Sequence, residues 1–385
     1  MRILWVVPRY GPDVLGGAEA LVRALATTVM PDGWESTVAT TCATDHRTWR
    51  NVHPAGEVEM DGLCVHRFPV GPRDPGTYER LHPTILSGRA SYATELEWFS
   101  HSVVSTEMTR FLETTLDRFD LRIFAPYLFG TTLWGAQVAP GRSVLLPCLH
   151  DEAYARLTSV RAMLGAVRGC LFNAPGEARL AATLADVRDG EVVGMGFDPP
   201  ATPLAGTTAR PDGPYLVYAG RLEEGKGVHE LVDHVTRMRE ADPALPRLLL
   251  LGHGGYRPPR SARQHVVQVG FVPEADKQWL IAGATALVSA SVMESLSIVQ
   301  LEAWLHGVPS IVNARCTVMA DHCSTSNGGL AYEDGAGFID AVRVLQDDPA
   351  RRQRMGASGR EYVLDVYGWD AVRRRFRDAM ERFAA

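Results

Sequence analysis

The sequence contains no run of about 18 or more apolar residues, and so no candidate for a membrane-spanning helix. It has no surplus of cations either. Its 39 Lys and Arg stand against 45 Asp and Glu, a net charge of −6, whereas a general nucleic-acid binder needs a basic excess to neutralise phosphates. No CxxC pair is present. The six cysteines, at 42, 64, 148, 170, 316 and 323, are scattered, which points to free, mostly buried thiols in a reducing cytoplasm. Histidines at HExxH or HxxxH spacing are missing, and Cys316, His322 and Cys323 lie close together without an evident fourth ligand, which argues against zinc there. No Asp-x-Asp motif stands where a metal-bound diphosphate would need one, since Asp347 and Asp348 adjoin without a spacer, so no metal is inferred. Proline, glycine and charge stay within the range of globular chains, which excludes wholesale disorder.

What is present is a repeated plan. At 385 residues the chain exceeds one ordinary core, and two domains are the default. Met1-Arg-Ile-Leu-Trp-Val-Val-Pro8 is short for the apolar region of a signal peptide and precedes no small-residue cleavage site; it reads as a first buried strand over 2–7. Strands are expected over 36–43, 62–69, 121–125, 143–149, 170–172 and 191–193, with helices over 18–30, 102–117, 154–167 and 175–184. Residues 71–100, with Pro72, Pro75, Pro83 and Gly88, read as a long functional loop. Residues 199–213 hold Pro, Gly and Thr without a hydrophobic period and read as a linker. The plan then recurs, with strands over 215–218, 247–251, 266–269, 286–289 and 310–313. Strands alternating with helices indicate parallel sheets with right-handed crossovers. The fold class is α/β, with two doubly wound Rossmann-like domains over 1–198 and 214–364. A last helix in 365–385, apolar at Val372, Phe376, Met380 and Phe383, is expected to pack back toward the first domain.

Ligands of such sheets bind beyond the carboxyl ends of the strands, and every chemically suggestive stretch falls at one. Gly16-Gly17 follows the first strand and opens a helix, where backbone N–H groups can approach a phosphate or sugar; two glycines also make an ordinary turn. His150-Asp151 ends an apolar strand, a place for a general base, a hydrogen-bond donor or a structural histidine. Gly220-Arg-Leu-Glu-Glu-Gly-Lys-Gly227 nearly spells a P-loop. Gly227 stands where the magnesium-binding hydroxyl belongs, and Glu223 and Glu224 would repel a triphosphate, so an NTPase is excluded. Arg221 and Lys226 remain, a fork and a point charge for phosphate oxygens, or two surface cations. Gly252-His-Gly-Gly255 and Gly270-Phe-Val-Pro273 are small-residue loops that admit a base or ribose, or plain turns. Glu294 stands at the entrance of a helix expected over 295–306, and Glu302 lies more than a turn inside it; Gly307 and Pro309 end it. Alone, the two carboxylates read equally as a cap and a solvated charge.

Taken in order, Gly16-Gly17-Ala-Glu19, His150-Asp151, Ala219-Gly-Arg221 with Lys226-Gly227, Gly270-Phe271-Val272, and Glu294-x7-Glu302 followed by Ala303 and Gly307-Val-Pro309 resemble the retaining glycosyltransferases of the GT4 family (glycosyltransferase group 1). Asn327-Gly-Gly-Leu330 and Tyr367-Gly-Trp369 add to the likeness, which spans nearly the whole chain; residues 70–120 match nothing in it, as befits an acceptor side. The resemblance implies the GT-B fold, two Rossmann-like domains facing across a cleft. It implies transfer of a sugar from a UDP- or GDP-sugar to a hydroxyl of a glycan, glycolipid or small-molecule glycoside, with no cofactor and no metal. In it Arg221 and Lys226 would hold the donor diphosphate, aided by N–H groups of Ser295, Leu296, Ser297 and Ile298 at the helix mouth. Glu294 would take the donor sugar's hydroxyls and Glu302 the ribose hydroxyls, while Gly270, Phe271 and Val272 would meet the base. His150 would bond the donor sugar or steer the acceptor, and Gly16 and Gly17 would admit the acceptor or the diphosphate. The catalytic set would be His150, Arg221, Lys226 and Glu294. Many relatives carry Phe-Gly where this chain has Leu296-Ser297; the backbone donors survive, but Ser297 narrows the approach.

Two other readings compete: a nucleotide-sugar epimerase of the same two-domain type, and a catalytically degenerate sugar-nucleotide-binding protein. The expected partners are a nucleotide sugar and a sugar, lipid-linked glycan or small-molecule acceptor, with no nucleic acid. The expected location is the cytoplasm. Contact with the inner face of the plasma membrane, through Arg73, Arg80 and Arg89 or Arg156, Arg161 and Arg168, is set against a solvated basic face.

Overall fold

A computed structural model describes every residue except Leu15, in the loop expected over 8–17, and Thr202, in the expected linker. The chain forms two compact units, Met1–Gly196 with Trp369–Ala385, and Phe197–Gly368.

The first unit runs β1 (Arg2–Val6), α1 (Gly17–Thr28), β2 (Glu35–Thr41), β3 (Gly56–Met60), β4 (Leu63–Phe68), α2 (Pro75–Leu86), α3 (Tyr92–Ser100), α4 (Thr106–Thr114), β5 (Leu121–Phe124), α5 (Gly130–Ala136), β6 (Ser143–Leu145), α6 (Thr158–Ala166), β7 (Gly169–Phe172), α7 (Pro175–Leu184) and β8 (Gly190–Val192). Its sheet has the order β3-β4-β2-β1-β5-β6-β7-β8, parallel but for β3. β1 is apolar along its length because it lies at the centre of a sheet covered on both faces: Leu4 and Val6 enter one core, Ile3 and Trp5 the other.

The second unit runs β9 (Tyr215–Ala219), α8 (Val228–Ala241), β10 (Arg247–Leu251), β11 (Val266–Gly270), α9 (Glu274–Ala282), β12 (Ala286–Ser289), α10 (Ile298–Leu305), β13 (Ser310–Asn313), α11 (Thr317–Ser326), β14 (Gly329–Tyr332), α12 (Gly335–Asp347) and α13 (Pro349–Tyr367). All its strands are parallel, in the order β11-β10-β9-β12-β13-β14. The strand order reverses between β1 and β5 in the first sheet and between β9 and β12 in the second. At such switch points neighbouring loops diverge and leave a crevice at the carboxyl edge.

The last helix, α14 (Trp369–Ala384), belongs to the first unit. Its stripe of Val372, Phe376, Ala379, Met380 and Phe383 is buried in the core behind β1. Phe376 stacks on Trp5 with centroids 5.8 Å apart, and the Phe383 ring fills the space a side chain at Gly169 would need.

Several local expectations change. Residues 71–100 are two helices rather than a loop. Asp74 caps α2 by accepting from Thr77 N, Pro75 suits its first turn, and Ser91 caps α3. The prolines marked helix starts rather than irregular chain, although Pro83 sits inside α2. β3 was not foreseen, yet Asp61-Gly62 carries its signal: φ of 55° and 75° at two successive residues is a type I′ hairpin turn. α11 occupies a stretch expected to be loop. The described part of 199–213 is docked on the second unit, not free. Thr207 N and the Thr208 hydroxyl donate to Asp276, and the Arg210 guanidinium lies 3.4 Å from the Trp279 ring centroid. Among the described residues no helix is long and apolar enough to cross a membrane. Most of the arginines weighed for lipid contact are engaged locally: Arg73 with the Ser102 carbonyl, Arg80 with Glu97, Arg156 with Asp151, Arg161 with the Leu184 carbonyl and Arg168 with the Arg382 carbonyl.

Candidate active site

In the second unit the site builds up at the carboxyl edge of the sheet, around the β9/β12 switch point. The loop after β9 is pinned to its neighbours. Gly220 N donates to Leu251 O, Leu222 N to His253 O and Tyr256 N to Leu222 O. Gly252, at φ +124°, lies so close to the Gly220 carbonyl that a β-carbon would overlap it. A 3-10 turn over Glu224–Lys226 then ends at Gly227, whose left-handed φ of +67° and 2.5 Å clearance to the Ala290 carbonyl admit glycine alone. That contact brings the loop before α8 against the loop after β12. Lys226 Nζ therefore reaches Glu294 Oε1 at 2.7 Å, with both side chains about four-fifths buried. Arg221 turns instead to Glu223 at 3.1 Å and stays half exposed.

Helix α10 starts later than expected, at Ile298, because Ser297 stands in the left-handed region at φ +62°. Ser295 and Leu296 precede the helix, and Leu296 is buried. The helix mouth presents backbone N–H groups without intrahelical partners directly after Glu294. α10 is braced from behind. The Gln300 amide donates to Ser310 Oγ and the Met319 carbonyl, and Trp304 is buried against Gly328 and Gly359. Cys316, His322 and Cys323 do not converge: His322 Nδ1 lies 3.0 Å from Tyr362 OH, and Cys323 meets Gln300 and Ser310. Burial pulls the His322 ring down to about 4, so it is neutral.

Glu302 is not grouped with Lys226 and Glu294. It pairs with Lys277 of α9 at 2.8 Å, and Lys277 also reaches Glu274 at 2.8 Å. Burial raises the Glu302 carboxyl against the pull of Lys277. Its second oxygen, Oε2, is buried and has no hydrogen-bond partner among the described residues. Gly270 closes the sheet edge, its carbonyl accepting from Gly252 N at 2.8 Å. Val272 is half-buried beside Phe271, which is 66% exposed and meets the His253 ring edge-on.

In the first unit the corresponding edge lies at the β1/β5 switch point. Gly16 caps α1 without a side chain, since the Glu19 carboxylate occupies the place of its β-carbon. Glu19 is buried with Arg9, whose guanidinium also lies over Trp49. Among the described residues nothing stands within 4 Å of a β-carbon built on Gly17. β6 ends at Leu145, earlier than expected, and an irregular stretch carries the chain to His150. Glu177, buried in the first turn of α7, clamps that stretch: it accepts from Leu149 N and Asn173 N, each at 2.6 Å. Burial pushes its carboxyl up to about 8. His150 Nδ1 lies 3.5 Å from Glu152 Oε1, and the same oxygen accepts from Tyr127 OH at 2.8 Å. Glu152, Tyr127, Glu177 and Lys277 were missed in the sequence. Only Glu152 had a local signal, two residues beyond His150.

Two doubly wound sheets, the second with Arg221, Lys226 and small-residue loops at its switch point, have the architecture of α/β proteins that take ligands at the carboxyl edge of the sheet. Residues 213–348, within the second unit, match the family described as glycosyl transferases group 1. Along nearly its full length the chain is similar to a glycogen synthase of Mycobacterium tuberculosis, 25% identical over 97% of this chain and 92% of that one. It is also similar to a D-inositol 3-phosphate glycosyltransferase of Jonesia denitrificans, 26% identical over 94% and 89%. Among solved structures, the fold resembles sucrose-phosphate synthase from Thermosynechococcus elongatus, with a TM-score of 0.71 at 17% identity over 99% of each chain. It resembles as well the Anabaena protein HepE solved with UDP-glucose, with a TM-score of 0.70 at 15% identity over 99% and 100%. The match over 213–348 places the second unit among the group 1 (GT4) glycosyltransferases, and the chain has the GT-B fold. It is thus a nucleotide-sugar-dependent, retaining glycosyltransferase of a metal-independent family.

Proposed function

We propose that this enzyme transfers a hexose from a UDP-sugar, with UDP-glucose the first donor to test, to a hydroxyl of a sugar, glycan or small-molecule glycoside. The donor binds at the carboxyl edge of the second sheet and the acceptor at that of the first. The observation that carries the donor site is the Lys226–Glu294 pair, 2.7 Å apart at the β9/β12 switch point and directly before the mouth of α10. Lys226 and Arg221 offset the charge that grows on the departing diphosphate, and the N–H groups over 296–298 add to this without reorganising. Retention requires attack on the face the leaving group vacates, so stabilising that group carries most of the chemistry. Glu294 accepts from hydroxyls of the donor sugar. Glu302 Oε2, buried and unpartnered among the described residues, is an acceptor suited to a ribose hydroxyl, with Lys277 holding the carboxylate in place. Phe271 and Val272 border the base. His150, oriented by Glu152, serves the acceptor hydroxyl. The choice of UDP rests on HepE, whose structure contains UDP-glucose.

A thermal-shift panel with UDP, GDP, ADP and their sugars tests the reading. UDP and UDP-glucose are expected to stabilise the wild type, by about 2.7 kcal/mol at a hundredfold excess over Kd, and Glu302→Ala to lose most of that shift. If no nucleotide stabilises the chain, or if Glu302→Ala leaves the shift unchanged, the donor site is misplaced. Release of nucleotide only when an acceptor is added separates transfer from epimerisation.

A further inference from the structure

The β3–β4 hairpin forms the edge of the first sheet. Its register sets Glu57 opposite His66 and Glu59 opposite Cys64. Directly opposed residues of an antiparallel pair project from the same face, so these four side chains share one side of the hairpin. Cys64 Sγ lies 3.5 Å from His66 Nε2, and His66 Nδ1 lies 3.6 Å from Glu57 Oε2. The ligand atoms of Glu57, Cys64 and His66 all fall within 4.8 Å of one another. A tetrahedral zinc ion, with bonds of about 2.3 Å to sulfur and about 2.0 Å to nitrogen, holds those two atoms about 3.5 Å apart. We propose that this face binds one soft divalent cation of the zinc class through Cys64 Sγ, His66 Nε2 and a Glu57 carboxylate oxygen turned from Nδ1 toward the ion, with Glu59 or water as the fourth ligand.

Two further features suit the ion. Cys64 is the one cysteine of the six that is not buried, so it is the thiol a metal in solution can reach. The His66 ring lies 4.8 Å from Phe111 and 6.4 Å from Phe68, an apolar border that limits competition from water. On binding, the Cys64 thiol releases its proton to solvent as the metal–sulfur bond forms. The ion would tie β3 to β4 across the exposed edge, a stabilising role separate from sugar transfer.

The test titrates tag-free, chelator-stripped protein with Co2+ alone. A thiolate-to-cobalt charge-transfer band saturating at a single equivalent, and bleached by Zn2+, is expected. Cys64→Ser removes the band and Glu57→Gln weakens binding by about 10–100-fold. One equivalent of Zn2+ raises the Tm of the wild type but not of Cys64→Ser, which unfolds in EDTA as the wild type does. Absence of the band, its persistence in Cys64→Ser, or saturation only far above stoichiometry overturns the proposal. If Cys64→Ser fails to fold, His66→Ala is read in the same way.

Discussion

Ser297 has a left-handed backbone, φ +62°, at the entrance of α10. That conformation costs a residue with a β-carbon about 1–2 kcal/mol, yet it turns the chain from Glu294 into the helix. Ser297→Gly is expected to raise stability by roughly 1 kcal/mol in urea unfolding, with the helix mouth unchanged. Across from it, Lys226→Ala is expected to cost about 2–4 kcal/mol in kcat/KM, by analogy with removing one preorganised donor. Arg221→Ala is expected to cost less, because Arg221 is half exposed and already paired with Glu223. Steady-state kinetics with a saturating acceptor check both; equal losses would show that Arg221 swings onto the donor. For His150, Tyr127→Phe and Glu152→Gln are expected to shift the pH profile of kcat more than they change donor KM, since they act on ring orientation rather than on binding.

At the scale of elements, two buried titratable groups pull in opposite directions. Glu177 ties α7 to the stretch that carries His150, and its folded pKa of about 8 lies above the ordinary 4.5. The folded state holds a proton that the unfolded chain has released, so this contribution is full below about pH 4.5 and is lost as pH rises toward about 8. His322 behind α10 is the reverse. Its folded value of about 4 lies below the ordinary 6.5, so its contribution is full above about 6.5 and is lost as pH falls toward 4. Calorimetry from pH 4 to pH 8 is expected to show the alkaline decline flattened in Glu177→Gln and the acid decline flattened in His322→Gln. Unchanged slopes would mean that other groups govern both limbs.

At the scale of the whole molecule, the chain builds one unit, crosses at Phe197 to build the second, and crosses back at Trp369 to finish the first. The first core is therefore incomplete until the last residues are in place. Phe376→Ala, which removes the ring stacked on Trp5, is expected to cost about 3–5 kcal/mol, seen by calorimetry in the first unit. The UDP-induced stabilisation of the second unit should persist; its loss would show that the donor site needs an intact α14.

Much of this plan was legible along the chain. Buried strands such as 2–6 and 215–219 announce themselves as short apolar runs, and the stripe of Val372, Phe376, Met380 and Phe383 as a one-faced helix. Glycines at turns and strand ends, Gly227 above all, mark where backbones must pass closely. These signals act over a few residues, so they survive without knowledge of the fold. The missed elements carried weaker local cues, or cues read the other way: Pro75 as a breaker rather than a helix start, Asp61-Gly62 passed over. Pairings across many residues had no local trace. That Lys226 meets Glu294 while Glu302 meets Lys277, and that Glu177 grips the approach to His150, follows from strand order and crossover packing. Charges attract over a few ångströms in space, and only the folded sheet decides which of them come that near.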